Sequence, residues 1–225
     1  YRAEALSRVA GALARAGELE AAAGAAGWAL AAAEAVRSEW YRAQALSGVA
    51  GALAEAGEVE ALGRALAAAE AIGDEESRAT AMSGVAQALA VVGEVAALWR
   101  ALAVAEVIGD ESLRSWVLSE VAGALAQVGD VEALRKALAA VSGIENEGSS
   151  VQALSRVAGA LAETGQHQPA LDVYRKAFRA AQLTARVLVF EVLKDAVPTL
   201  AAIDQGQTLW RVYQAVMEME SWWGN

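Results

Sequence analysis

The sequence predicts an all-α fold, an α-solenoid of five tandem helix-turn-helix repeats closed by a different C-terminal helical cap. Three observations predict it: a phrase that recurs about every 36 residues, a glycine at a fixed distance after it, and an Ala-rich composition that favours helix.

The phrase Ala-Leu-Ser begins at Ala5, Ala45 and Ala153, with Ala81-Met82-Ser83 and Val117-Leu118-Ser119 in the same register. Its serines are Ser7, Ser47, Ser83, Ser119 and Ser155, and ten residues after each stands Gly17, Gly57, Gly93, Gly129 or Gly165. The intervals are 40, 36, 36 and 36 residues. Matching Trp28-Ala-Leu-Ala-Ala-Ala-Glu34 with Arg64-Ala-Leu-Ala-Ala-Ala-Glu70 places the extra four residues within Ala21 to Gly27. The repeats therefore span about 1–40, 41–76, 77–112, 113–148 and 149–183, with capping helices in 184–225.

Each repeat reads as two helices. Leu46, Val49, Ala50 and Leu53 recur at i, i+3, i+4 and i+7, the apolar stripe of a first helix. Gly57 suits the left-handed residue that ends it. Glu58 opens the second helix, and Glu94 and Asp130 recur there as expected caps at the positive end of the dipole. Leu62, Leu66 and Ala69 form the inner stripe of that second helix. Gly73 is expected to stop it and Asp74 to cap the next, with Glu75 and Glu76 in its first turn. Gly109-Asp110-Glu111 repeats this punctuation, and the boundary from Gly143 to Ser150 reads as looser. Ala185 to Val197 then reads as a strongly apolar helix, with a kink or new start at Pro198. Gln207 to Trp222 reads as an amphipathic last helix. Trp222-Trp223 either completes the cap or protrudes as a contact patch.

Composition limits the function classes. A net charge of −10 with 18 scattered basic residues argues against nucleic acid and favours solubility, with a weaker hint of a basic partner. The most apolar run, Ala21 to Ala33, lies between Glu20 and Glu34 and is too short to span a membrane. The start at Tyr1, inside a repeat, reads as a fragment. Arg outnumbers Lys and Asn occurs only at 146 and 225, which fits a thermophilic or GC-rich source. With no cysteine and one histidine, neither a disulfide nor a zinc site of the usual kind is expected. His167, between Gly165 and Pro169, reads as a solvent-exposed turn residue without a catalytic neighbour. The glycines follow the repeat rather than a phosphate-binding loop. No cofactor, metal or catalytic residue is expected, and the chain is not expected to be an enzyme. Arg42, Arg78 and Arg114 form one ladder and Arg64, Arg100 and Lys136 another, both read as inter-repeat ion pairing and solvated faces.

The repeats resemble the tetratricopeptide family. That family's first helix carries a large residue, Leu-Gly three on, and a Tyr-like residue. Leu46, Val49-Ala50 and Leu53 stand in those places, matched by Leu154, Val157-Ala158 and Leu161. The fifth repeat supplies Ala170, Tyr174 and Ala177 of the second-helix pattern. Leu62, Leu98 and Leu134 replace the small residue in repeats two to four, the period exceeds the family's 34, and Gly-Asp replaces its closing proline. The resemblance covers residues 1 to about 183 and implies a right-handed superhelix whose first helices line a concave groove.

The resemblance assigns to that groove Gln44, Ser47, Thr80, Ser83, Gln87, Trp116, Ser119, Gln152 and Ser155. Gly11, Gly51, Gly123 and Gly159 stand one turn beyond the serines, and Ala14, Ala54, Ala90, Ala126 and Ala162 follow. Small residues there either let neighbouring first helices approach closely or leave a smooth groove for a partner. Trp116 is the large exception and the expected contact. Trp28 and Trp99 are expected to pack on the convex side or between repeats. The function expected is a protein-protein interaction scaffold or sensor of bacterial signalling, cytoplasmic, binding a protein or peptide. Alternatives are self-assembly, as a homo-oligomer through Trp222 and Trp223, and an accessory domain of a larger signalling enzyme.

Overall fold

The computed structural model describes residues 1–142, 147–184, 186–203 and 207. Those residues form eleven helices and no strand: α1 (Arg2–Arg15), α2 (Leu19–Glu34), α3 (Glu39–Glu55), α4 (Val59–Glu70), α5 (Glu75–Val92), α6 (Val95–Glu106), α7 (Glu111–Val128), α8 (Val131–Ser142), α9 (Glu147–Glu163), α10 (His167–Thr184) and α11 (Arg186–Ile203). The starts of α3, α5, α7 and α9 are 36 residues apart, as the sequence period requires.

Five glycines end the first helix of each pair. Gly17, Gly57, Gly93, Gly129 and Gly165 all have φ between 74° and 85°. The N–H after each glycine reaches back to a leucine carbonyl, as Glu94 does to Leu89 at 3.0 Å and Gln166 to Leu161 at 2.8 Å. This bond satisfies a carbonyl that the helix end leaves open. Gly73 behaves differently from expectation. The helix before it ends at Glu70 with a right-handed Ala71, and Gly73 has no positive φ. Asp74 does cap α5, accepting from the Ser77 N–H at 2.9 Å, and Asp110 caps α7 by accepting from the Leu113 N–H at 2.8 Å. Glu58 and Glu94 occupy N-cap positions, yet neither side chain makes a capping hydrogen bond.

The four-residue insertion lengthens α2 to 16 residues, where α4, α6 and α8 have 12. Four residues are close to one 3.6-residue turn, so the added segment keeps the buried face in register.

Helices α1, α3, α5, α7, α9 and α11 pack side by side in succession. Helices α2, α4, α6 and α8 stand behind them and touch one another only lightly, while α10 packs against α9 and α11. Among the described residues, no helix touches another more than two places along the chain. Buried Leu30, Leu62, Leu66, Leu98 and Leu102 of the outer row mesh with Leu46, Leu53, Met82, Leu89 and Leu118 of the inner row. Alanines such as Ala26, Ala50, Ala65, Ala86 and Ala122, none of them exposed, fill the space between.

Beyond the fifth pair, α11 runs through Pro198 without a new start. Proline lacks the N–H that would bond the Lys194 carbonyl. The adjacent Asp195 carbonyl accepts the Tyr174 hydroxyl at 2.7 Å, which fastens α10 to this part of α11. Trp222, Trp223 and the expected last helix past Gln207 lie outside the described residues, as does part of the boundary from Gly143 to Ser150.

Candidate functional site: the face of the first helices

The first helices are held in line by fastenings that the period repeats. Arg42, Arg78 and Arg114 donate to the carbonyls of Val36, Ile72 and Ile108 at 3.5, 3.1 and 3.0 Å, tying each linker to the helix that follows it. Glu39 accepts from the N–H groups of Gly73 and Asp74 at 3.0 and 2.8 Å, and Glu75 from those of Gly109 and Asp110 at 3.1 Å each. These backbone donors hold both glutamates below the ordinary carboxylate range, with the nearby arginine a smaller contribution. On the outer row Arg64 pairs with Glu34, Arg100 with Glu70 and Lys136 with Glu106, as the ladder predicted.

Helices α3 and α5 approach closely at Gly84. A Cβ on Gly84 would fall 2.0 Å from the Ser47 Oγ and 2.8 Å from its Cα, so no other residue fits without parting the helices. Nearby, the Ser7 hydroxyl donates to the Gly48 carbonyl at 2.8 Å. The glycines expected to serve close packing lie elsewhere. A Cβ on Gly51 would meet nothing within 4 Å, one on Gly123 only the Ala160 Cβ at 3.5 Å, and one on Gly159 only the Tyr174 hydroxyl at 3.8 Å. At Gly11 a Cβ would fall 2.9 Å from the movable Glu55 Oε2 of α3, so packing bears on that member of the series and on Gly84, but not on Gly51, Gly123 or Gly159. The sequence left both explanations open at these glycines because a helix period cannot tell which neighbour a position faces.

A hollow of about 610 Å³ lies on this face across α5, α7, α9 and α11. Ser119, Gly123, Ser155 and Gly159 line it with Gln87, Glu120 and Arg156, and the α11 side adds Lys194, Asp195 and Pro198. Glu120 accepts from Gln87 and from Arg156, each at 2.8 Å, linking three successive helices along one wall. Tyr174 is buried beneath it; burial first, then the charges of Asp195 and Glu163, raises its pKa against the opposing effect of a Thr199 hydrogen bond.

The expected groove residues divide. Gln87, Ser119 and Ser155 line this hollow. Gln44 lines a second one, of about 830 Å³, with Tyr1, Trp40 and Tyr41 near the start of the chain. Ser83 is buried, Ser47 faces Gly84, and the Thr80 hydroxyl donates to the Glu76 carbonyl at 3.0 Å. Gln152 is exposed but lines neither hollow. Trp116 is half-buried against the core and is not among the residues lining the hollow; its carbonyl accepts the Ser119 hydroxyl at 2.7 Å. Sequence reasoning missed Lys194 and Asp195, because they come from the segment that breaks the period.

Of the outer-row tryptophans, Trp99 donates to Asp130 at 3.1 Å with Lys136 Nζ 5.6 Å from its ring centre, an inter-repeat contact. Trp28 is largely exposed. His167 is not a turn residue; it opens α10 and is half-buried. The left-handed Gly165 lets α10 begin almost at once, with the Ala170 N–H already bonded to the Gln166 carbonyl at 3.0 Å.

Among the described residues no group of three or more His, Asp or Glu side chains converges as metal ligands, and no helix is long and apolar enough to cross a membrane. Neither a family model nor a curated protein matches this sequence.

Proposed function

We propose that the chain is a binding scaffold without chemistry of its own, a right-handed tetratricopeptide-like α-solenoid that takes a peptide or partner protein along its first helices. The observation that carries this reading is the hollow across α5, α7, α9 and α11, floored by Ser119, Gly123, Ser155 and Gly159. Helices α1, α3, α5, α7, α9 and α11 touch in succession while the outer helices barely meet, which supports a curve with the first helices on its inner side. Repeat arrays present extended binding surfaces on such inner faces.

The test is site-specific photo-crosslinking in the source cell extract. A benzophenone residue at Gln87 or Gln152, both exposed on first helices, is compared with one at Ala67 or Ala103, exposed on the outer row. The reading expects one adduct of constant mass from the inner positions alone. Equal labelling from both rows, or none from the inner one, refutes it.

A further inference from the structure

The floor of the hollow has two features that packing does not explain. Glycine inside a helix is disfavoured relative to alanine. Yet a Cβ at Gly123 or Gly159 would make only ordinary contacts, at 3.5 and 3.8 Å, so no neighbouring helix requires either glycine. Their missing side chains open the floor toward the hollow instead. Beside them Ser155 is only 5% exposed, and its Oγ has no hydrogen-bond partner. Ser119, one repeat earlier on the same floor, satisfies its hydroxyl at the Trp116 carbonyl. A buried hydroxyl without a partner is unfavourable, and one bond rotation is enough to re-aim it toward a ligand.

The charges around the floor are not balanced. Glu120 is engaged by Gln87 and Arg156. Glu163 and Asp195, which also line the hollow, have no cationic partner among the described residues, and Lys194 is the one lining cation without an ion pair there. Two unpaired carboxylates against one ammonium leave a negative hollow in a chain whose net charge is −10.

We infer that this hollow takes an extended peptide segment bearing a lysine or arginine, its backbone over Gly123 and Gly159 and its cation toward Glu163 and Asp195. The inference rests on the scaffold reading above. A helical ligand has its backbone groups bonded internally and offers nothing to Ser155, whereas an extended segment carries free N–H and C=O groups. A helix about 10–12 Å across would also fill 610 Å³ in little more than one turn.

The experiment uses the whole chain, ¹⁵N-labelled, with acetyl-Ser-Ala-Lys-Ala-Ser-amide as probe. It is titrated to about 10 mM, because so small a contact belongs in the millimolar range. Saturable shifts of the Gly123, Ser155 and Gly159 amide resonances are expected. The double variant Glu163→Gln/Asp195→Asn, both sites exposed, should weaken binding at least about tenfold with its melting temperature unchanged. Ser155→Ala should weaken it several-fold. Equal shifts with the glutamate counterpart, or a helical (Glu-Ala-Ala-Ala-Lys)₃ peptide displacing the probe from the same resonances, overturn the inference and leave the scaffold reading standing. No shift at these three residues with any of the peptides also overturns it, and crosslinks from Gln87 would then still report on the scaffold independently.

Discussion

Gly93 adopts φ 77° and a Cβ there would meet nothing within 4 Å, so its requirement is conformational, not steric. Gly51 meets nothing either, but lies in the helical interior of α3 with ordinary dihedrals. Gly93→Ala should lower stability by about 1–2 kcal/mol, the cost of a Cβ in the left-handed region. Gly51→Ala should raise it by up to about 1 kcal/mol through helix propensity. Gly84→Ala should be the worst of the three in position-matched comparison with Gly48→Ala, because the Ser47 backbone blocks relief. Urea midpoints of the four variants decide this, and a Gly51→Ala protein less stable than wild type contradicts the account. The left-handed glycines were legible in the sequence, since ten-residue spacing after a recurring serine marks a helix end. Gly84 was not, since its role depends on which residue of α3 lies opposite.

The linkers between helix pairs are held by element-level devices that also repeat. Glu75 at the start of α5 accepts two N–H groups from the Gly109-Asp110 turn, and its pKa lies below the ordinary glutamate value of 4.5. The folded state therefore favours the carboxylate over the acid, and the unfolded state binds protons more readily. Stability from this source is present above pH 4.5 and drains away as pH falls through the depressed value. Glu39 contributes in the same direction at the preceding linker. The double variant Glu39→Gln/Glu75→Gln should melt below wild type at pH 7, with the gap closing as the solution is acidified well below pH 4.5. A gap that stays constant across that range would mean the charge is irrelevant. The inter-repeat ion pairs of Arg64, Arg100 and Lys136 were legible in the sequence. Arg42, Arg78 and Arg114 were expected to pair between repeats and instead pair with Glu39, Glu75 and Glu111 of their own helices. Arg78 reaches the Ile72 carbonyl six residues back, whereas Glu75 reaches a turn 34 residues ahead.

Among the described residues, helix contacts run only between elements one or two places apart in the chain. In such an array each helix pair depends on those beside it. Native-state hydrogen exchange should therefore be slowest in α5 and α7, each packed between two first helices and against second helices behind, and faster in α1, where Val9 is exposed. Val9 on α1 shows the asymmetry: it is 51% exposed, while its counterparts Val49, Val85, Val121 and Val157 are fully buried. Uniform protection from α1 to α9 would show instead a single cooperative unit. The candidate site belongs to this scale too. Its floor comes from α7 and α9, one wall reaches α5, and the other is Lys194, Asp195 and Pro198 of α11.

Helix type, the left-handed stops and the four-residue insertion follow from local propensity and period, which neighbouring residues along the chain impose. Which glycines are squeezed, where Trp116 lies, and that α11 closes one side of a hollow depend on residues far apart in sequence meeting face to face. A 36-residue period cannot encode that meeting at α11, because the segment that closes the hollow is the one that abandons the period.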